Sequence, residues 1–95
     1  MFEKEFEGKV VLVTGGSTGI GYATVKSFLA TGAKVYFLGK PGEDLTKQTE
    51  ELKAINPDYD FASNTIDLCD YKAAKALYAE IEEKWGRLDV LVNNA

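Results

Sequence analysis

The sequence contains no histidine and only one cysteine, Cys69, among its 95 residues. One thiol cannot form an intramolecular disulfide, and without histidine or further cysteines the usual ligands of a structural zinc site are missing. With no histidine available to activate it, Cys69 is interpreted as a small packing residue rather than as a redox centre. The composition therefore predicts a protein with no bound metal.

An excess of positive charge is also missing, since eleven lysines and arginines face fifteen acids and give a net charge of −4. Nucleic-acid binding normally needs a basic patch, so no nucleic-acid partner is expected. The longest apolar run, Val10–Val13, is far too short to span a membrane. The charged start, Met1–Glu7, lacks the apolar centre of a signal peptide. We expect no membrane partner and a reduced, cytoplasmic location.

Four segments of strand character alternate with three of helical character, within a single domain of residues 1–95. Three of the strand segments are apolar runs, typical of strands that are buried on both faces, and the other is more polar, as expected of an edge strand. The apolar runs are Lys9–Thr14, Val35–Leu38 and Leu88–Val92, and the polar segment is Tyr59–Ile66. Alternation of this kind predicts an α/β fold with a parallel sheet and right-handed crossovers.

The three helical segments are bounded by residues that favour helix ends. The first runs from Gly19 to Thr31 before a closing glycine, and the second opens near Glu43-Asp44 and stops before Asn56-Pro57. The third has Asp70 as its expected N-cap and Gly86 as its stop. An apolar stripe at helical spacing predicts that the third helix packs on the core, through Ala74, Leu77, Tyr78, Ile81 and Trp85.

Glycines mark the turn from the first strand into the first helix, in the segment Thr14-Gly15-Gly16-Ser17-Thr18-Gly19-Ile20-Gly21. The first amides of a helix have no partner within it, and the helix dipole adds partial positive charge. We expect Gly15 to make the turn, Gly19 to allow close approach of phosphates, and Gly21 to let helix and strand touch. The pattern predicts a diphosphate site, and the alternative is a tight turn without a ligand. The candidate site residues here are Gly15, Ser17, Thr18, Gly19, Ile20 and Gly21.

Three motifs in order along the chain resemble the short-chain dehydrogenase/reductase family. The turn from Thr14 to Gly21 looks like the family's TGxxxGIG motif, Asp67-Leu68 looks like its adenine-binding acid, and Asn93-Asn94-Ala95 looks like the start of its NNAG motif. The resemblance implies a three-layer Rossmann-type fold with strand order 3-2-1-4, the first two helices on one face and the third on the other. It also implies an NAD(P)(H)-dependent oxidoreductase acting on an alcohol or carbonyl.

For the sites, the resemblance implies that Asp67, with Leu68 beside it, hydrogen-bonds the adenine amino group. Asn93 and Ala95 belong to a motif that supports the sheet and lies along the cofactor. From the residues alone, Asp67 could instead be an ordinary turn acid, and the asparagines could simply satisfy strand ends.

The catalytic serine, tyrosine, lysine and late asparagine of the family lie beyond NNAG, so we expect no catalytic residue and no turnover within these 95 residues. Tyr71 and Lys75 fit a Tyr-x-x-x-Lys spacing, but they precede NNAG and are interpreted as a solvated helix face. Two hypotheses follow. The chain is the cofactor-binding half of a longer or truncated oxidoreductase, or it is a binding-only or structural half-Rossmann module.

The end of the second strand bears on the choice of cofactor. NAD sites usually place an acid there, whereas this chain has Gly39 followed by Lys40. Gly39 leaves room, Lys40 is a cation that can face a 2′-phosphate, and Ser17 is a further donor. We therefore expect NADP, with NAD as the alternative because Glu43 and Asp44 follow closely.

The fourth strand predicts a partner of another kind. Leu88–Val92 would form an apolar edge with no proline or lysine to interrupt it, and such edges pair with other chains. We expect self-association through this strand, with Trp85 and Val90 partly exposed in one contiguous patch.

Overall fold

Four short strands and three helices alternate along the chain, of which the computed structural model describes residues 6–94. The strands are β1 (Val10–Thr14), β2 (Lys34–Leu38), β3 (Phe61–Asn64) and β4 (Val90–Asn93). The helices are α1 (Gly19–Ala30), α2 (Thr46–Ile55) and α3 (Tyr71–Trp85). All neighbouring strands are parallel, in the order β3-β2-β1-β4. The predicted order 3-2-1-4 is confirmed.

The centre of the sheet is β1, whose five residues are all buried. Its Val11 is in register with Val35 of β2 on one side and with Val90 of β4 on the other. A strand with neighbours on both edges and helices on both faces has no contact with water, which is why its sequence is a continuous apolar run.

Alternation along β1 divides the core into two layers. Val11 and Val13 lie in the layer beneath α1 and α2, which we call the α1 face, and Val10 and Leu12 lie in the layer beneath α3, the α3 face. The remaining buried members of the α1 face are Val25, Leu29, Ala33, Val35, Phe37, Leu45 and Leu52. Those of the α3 face are Tyr36, Leu38, Leu77 and Ile81. The predicted placement of the three helices is confirmed.

The ends of α3 agree with the sequence prediction. Asp70 accepts hydrogen bonds from the amides of Lys72 and Ala73, and Gly86 closes the helix at φ 75°. After α1, Gly32 likewise takes a positive φ of 91°.

The helix α2 begins at Thr46, two to three residues after the start predicted near Glu43-Asp44. The Asp44 carboxylate accepts a hydrogen bond from the Thr46 amide at 2.9 Å and the Glu43 carboxylate points back towards the glycine turn, so both acids belong to a loop. β3 is also shorter than predicted and covers only residues 61–64. β4 starts two positions late because Asp89 uses its side chain to accept a bond from the Val10 amide.

The outer strand β4 is only partly covered. Leu91 is 52% exposed, whereas Val90 and Trp85 are half-buried, as predicted. The predicted single patch is wrong, because Val90 packs on the α1 face and Trp85 on the α3 face, on opposite sides of the sheet. Successive strand residues point to opposite faces, so Leu91 is the apolar residue that shares the side of Trp85. Self-association through β4 stays a prediction.

Candidate functional site

The turn between β1 and α1 depends on glycines for its backbone shape. Gly15 has φ 61° and Gly19 has φ 57°, in the left-handed region where a side chain is strained. The amide of Gly16 donates to the carbonyl oxygen of Leu38 at 2.8 Å, which fastens the turn to the end of β2. The glycine turn, residues 14–21, therefore lies at the carboxyl edge of two neighbouring strands.

Two glycines of the turn are required by close contacts. A Cβ atom on Gly21 would collide with the carbonyl oxygen of Gly15 and lie 2.8 Å from Nδ2 of Asn94. A Cβ on Gly16 would lie 2.8 Å from the Cβ of Phe37. Gly16 is not among the predicted site residues, although its position beside Gly15 could have indicated it.

Gly19 faces a different environment, because a Cβ there would meet no atom within 4 Å. This open space is where the sequence predicts that a phosphate approaches. Ile20, the next residue, is 78% exposed and gives this space an apolar border.

The first turn of α1 is left without a side-chain cap. Thr18 holds the N-cap position but makes no capping hydrogen bond, and no acid lies in the first turn. The first helical bond runs from the Tyr22 amide to the Thr18 carbonyl at 3.2 Å, so the amides of residues 19–21 have no partner within the helix. These donors and the helix dipole together suit an anion such as a diphosphate.

Ser17 is buried and held at two points by the segment that follows β2. Its hydroxyl donates to Oε1 of Glu43 at 2.9 Å, and its carbonyl accepts from Nε2 of Gln48 at 2.9 Å. The other amide atom of Gln48, Oε1, is buried and has no hydrogen-bond partner in the part of the chain that the structure describes. Sequence reasoning missed Gln48, because nothing local relates a residue of α2 to the glycine turn.

The end of β2 is occupied by the same carboxylate. Oε1 of Glu43 also accepts from the amide of Lys40 at 2.9 Å, and a Cβ on Gly39 would lie 2.6 Å from this oxygen. The room that Gly39 leaves, expected to hold a 2′-phosphate, therefore holds Glu43. The side chain of Lys40 is exposed.

The segment after β4 is tied to the glycine turn through Thr14. The Thr14 hydroxyl donates to Oδ1 of Asn93 at 3.0 Å and accepts from the amide of Asn94 at 2.9 Å. Thr14 is thus a further site residue, one that the sequence analysis counted only as part of a motif. Ala95 lies outside the described residues.

The family model described as short chain dehydrogenase matches residues 9–95. The chain belongs to the short chain dehydrogenase family. A 3alpha-hydroxysteroid dehydrogenase of Mediterraneibacter gnavus is 38% identical over 89 residues, which cover 94% of this chain and 36% of that protein.

Solved structures of short chain dehydrogenases superpose on the chain closely. A short chain dehydrogenase of Mycobacterium smegmatis has a TM-score of 0.80 at 38% identity, covering 97% of this chain and 38% of its own. A citronellol catabolism dehydrogenase of Pseudomonas aeruginosa has a TM-score of 0.84 at 31% identity, covering 98% and 38%. The chain therefore spans little more than a third of the length of these relatives.

Asp67 and Leu68 lie in the loop after β3, at the same sheet edge as the glycine turn. Oδ1 of Asp67 accepts from the amide of Cys69 at 2.9 Å, which is the turn role considered above, and the carboxylate is exposed. Leu68 is half-buried against the α3 face. The adenine contact stays a prediction.

Two residues of α3, Tyr71 and Lys75, have the Tyr-x-x-x-Lys spacing of the family's catalytic residues. Tyr71 is 76% exposed and Lys75 is also exposed, which fits a solvated helix face. Among residues 6–94 no group of acidic or cysteine side chains is placed to hold a metal ion. Over the same range, no helix has the length and apolar character needed to cross a membrane.

Proposed function

We propose that the chain is the NAD(P)-binding part of an oxidoreductase that moves a hydride between a nicotinamide and an alcohol or carbonyl group. One observation carries the proposal: α1 starts without a cap, at a turn where Gly19 leaves open space. That combination leaves backbone donors and partial positive charge for a diphosphate. Membership of the short chain dehydrogenase family supports the same ligand.

Different parts of the chain would bind different parts of the cofactor. The amides of residues 19–21 would donate to the diphosphate, and the open space above Gly19 would admit it. The loops after β2 and β3 would receive the adenosine, with Asp67 at the adenine. Asn93, bonded to Thr14, would keep the end of β4 beside the cofactor. When bound, the nicotinamide would supply or accept the hydride.

Proton transfer to the substrate oxygen needs an acid or base within hydrogen-bond reach of it. Tyr71 and Lys75, exposed on α3, do not form such a group in our proposal. The 95-residue chain alone is therefore expected to bind the cofactor without turnover. This distinguishes the proposal from a purely structural module, which would bind neither NAD nor NADP.

The loop after β2 holds opposing signals for the two cofactors. The exposed cation Lys40 supports NADP, as the sequence analysis expects. The carboxylate of Glu43, beside Gly39, supports NAD. Lys40 favours a phosphate at the 2′ position of the ribose, whereas Glu43 favours a hydroxyl there. Of the two side chains, Glu43 is the one held by hydrogen bonds.

Calorimetric titration of NAD⁺ and NADP⁺ tests the proposal, with Gly21→Ala as the disrupting variant. The new Cβ would displace the turn from its contact with the Gly15 carbonyl, so binding should be lost. Gly86→Ala is the control, because it also adds a methyl group to a glycine, but at the far end of α3, where the glycine has φ 75°. It should lower stability and keep binding. The proposal would be contradicted if the folded wild-type chain bound neither dinucleotide. It would also be contradicted if both variants lost dinucleotide affinity equally.

A further inference from the structure

We infer that Glu43 selects NAD over NADP, by accepting a hydrogen bond from the 2′-hydroxyl of the adenosine ribose and repelling a 2′-phosphate. The inference rests on the proposed cofactor site. It gives a role to Glu43, which was not among the residues predicted to bind the cofactor. It also reverses the preference expected from Lys40.

The carboxylate of Glu43 is fixed at the junction of the glycine turn and β2. Its Oε1 accepts from the hydroxyl of Ser17 and from the amide of Lys40, both at 2.9 Å. The glycine turn is itself fastened to β2 at Leu38. Glu43 is half-buried, so it is a held group rather than a mobile surface side chain.

The backbone around Glu43 is shaped to admit it. A Cβ on Gly39 would lie 2.6 Å from Oε1 of Glu43 and 2.9 Å from Cδ2 of Leu45, so any larger residue would displace the carboxylate. Dinucleotide folds that use NAD place an acid about 20 residues after the last glycine of the turn. Here β2 ends without an acid, but the loop that follows brings the carboxylate of Glu43 next to Gly39, at the end of β2.

The chemistry of that place suits a hydroxyl and opposes a phosphate. A carboxylate has roughly four acceptor positions, of which Ser17 and Lys40 use two, so a ribose hydroxyl still finds an acceptor. A 2′-phosphate would bring a second negative charge against the first. The Ser17 hydroxyl, which was expected to donate to that phosphate, is already bonded to Glu43.

Lys40 does not outweigh this repulsion. Its side chain is exposed, and exposed ion pairs contribute little because water screens them and the flexible side chain must be ordered. Glu43 needs no ordering, since two hydrogen bonds already hold it. The half-buried carboxylate therefore decides the preference.

The test is calorimetric titration of the full chain with NAD⁺ and NADP⁺, comparing wild type with Glu43→Gln. Glutamine keeps the length and the acceptor oxygen for Ser17 and Lys40 but removes the charge. Asp44→Asn is the matched control: it removes the same charge one residue away and keeps an acceptor for the Thr46 amide. Wild type should bind NAD⁺ about tenfold or more tightly than NADP⁺, and Glu43→Gln should narrow this ratio about tenfold, mainly through tighter NADP⁺ binding. Asp44→Asn should change the ratio much less.

A second measurement needs no variant. In the wild-type chain, 5′-AMP should displace NAD⁺ at lower concentration than adenosine 2′,5′-bisphosphate, since the two differ only in the 2′-phosphate. A wild-type preference for NADP⁺ that Lys40→Ala abolishes would overturn the inference, as would equal shifts in the two acid variants. Binding of both dinucleotides with equal affinity would also overturn it while leaving the proposed function intact. Binding of neither by a chain that circular dichroism shows to be folded would instead refute the proposed function.

Discussion

The helices α1 and α3 both begin at the carboxyl edge of the sheet, but only α3 carries a side chain over its first amides. Asp70 accepts from the amides of Lys72 and Ala73, at 3.0 and 3.3 Å. At the start of α1, Thr18 occupies the equivalent position, with extended backbone angles of φ −142° and ψ 162°, and makes no such bond. The backbone is thus ready for a cap that the side chain does not supply.

The difference between the two helix starts agrees with the proposed binding site. A cap satisfies the orphan amides and stabilises the free chain, whereas an open start keeps those donors for a ligand. In α1 the stability that a cap would add is forgone where a diphosphate is proposed to bind. In α3, where no ligand is proposed, the cap is present.

The largest effect is expected when α1 is given a cap like that of α3, with the substitution Thr18→Asp. The new carboxylate would accept from the first amides of α1 and place a negative charge where a diphosphate is proposed to bind. We expect dinucleotide affinity to fall about tenfold or more, while the free chain gains roughly 0.5–1 kcal/mol in stability. Titration calorimetry and urea unfolding measure the two effects.

Thr18→Asn separates capping from charge in this experiment. Asparagine caps a helix about as well as aspartate but is neutral, so its loss of affinity should be smaller. Unchanged binding in Thr18→Asp would show that the amides of α1 do not hold the ligand.

The reverse change, Asp70→Ala, makes the start of α3 resemble that of α1. It should cost about 1 kcal/mol in the free energy of unfolding, because two amides lose their acceptor. Dinucleotide affinity should stay as in wild type, and Asp70→Asn should restore most of the stability. A loss of affinity as large as that of Thr18→Asp would mean that both helix starts belong to the site.

The smallest expected effect on stability concerns two tyrosines whose hydroxyls bond to a neighbouring helix. On α1, the Tyr22 hydroxyl donates to Glu51 of α2 at 2.8 Å, and on β2 the Tyr36 hydroxyl donates to Glu80 of α3 at 3.0 Å. Burial first, and then the neighbouring carboxylate, raises the pKa of each hydroxyl to about 12. Asn64 acts in the opposite direction on Tyr36.

These shifts fix the direction of an alkaline effect. The folded chain holds both protons more tightly than the unfolded chain, whose tyrosines ionise near pH ~10. Their contribution to stability is therefore complete below about pH 10 and disappears as pH rises to about 12. Urea unfolding across this range should show a smaller decline in Tyr22→Phe and in Tyr36→Phe than in wild type. Equal declines in all three proteins would assign the alkaline loss to other groups.

The parts of the molecule that could be predicted from the sequence are those with local causes. The run Val10–Val13 marks the central strand because burial on both faces leaves no polar position. Asp70 and Gly86 mark the ends of α3 because capping involves residues only a few positions apart. The glycine turn was recognisable for the same reason.

The parts that could not be predicted depend on contacts between distant segments. Ser17 and Glu43 are 26 residues apart, and Thr14 and Asn93 are 79 apart, so no local pattern relates them. Lys40 suggested NADP because its position next to Gly39 is visible in the sequence, whereas the return of Glu43 to that place is not. The contiguous patch expected of Trp85 and Val90 was wrong because strand alternation sets Val90 on the opposite side of the sheet.

The central position of β1 has a consequence for how the molecule opens. β1 has a strand on each side and all its residues are buried, whereas β3 and β4 each pair with one neighbour among the described residues and are partly exposed. Local opening is easiest where few buried contacts must break, so in deuterated water the amide protons of β3 and β4 should exchange before those of β1. The glycine turn begins at the last residue of β1. The proposed phosphate site is thus attached to a segment whose protons exchange later than those of β3 and β4, and it keeps its anchor while the borders of the sheet open and close.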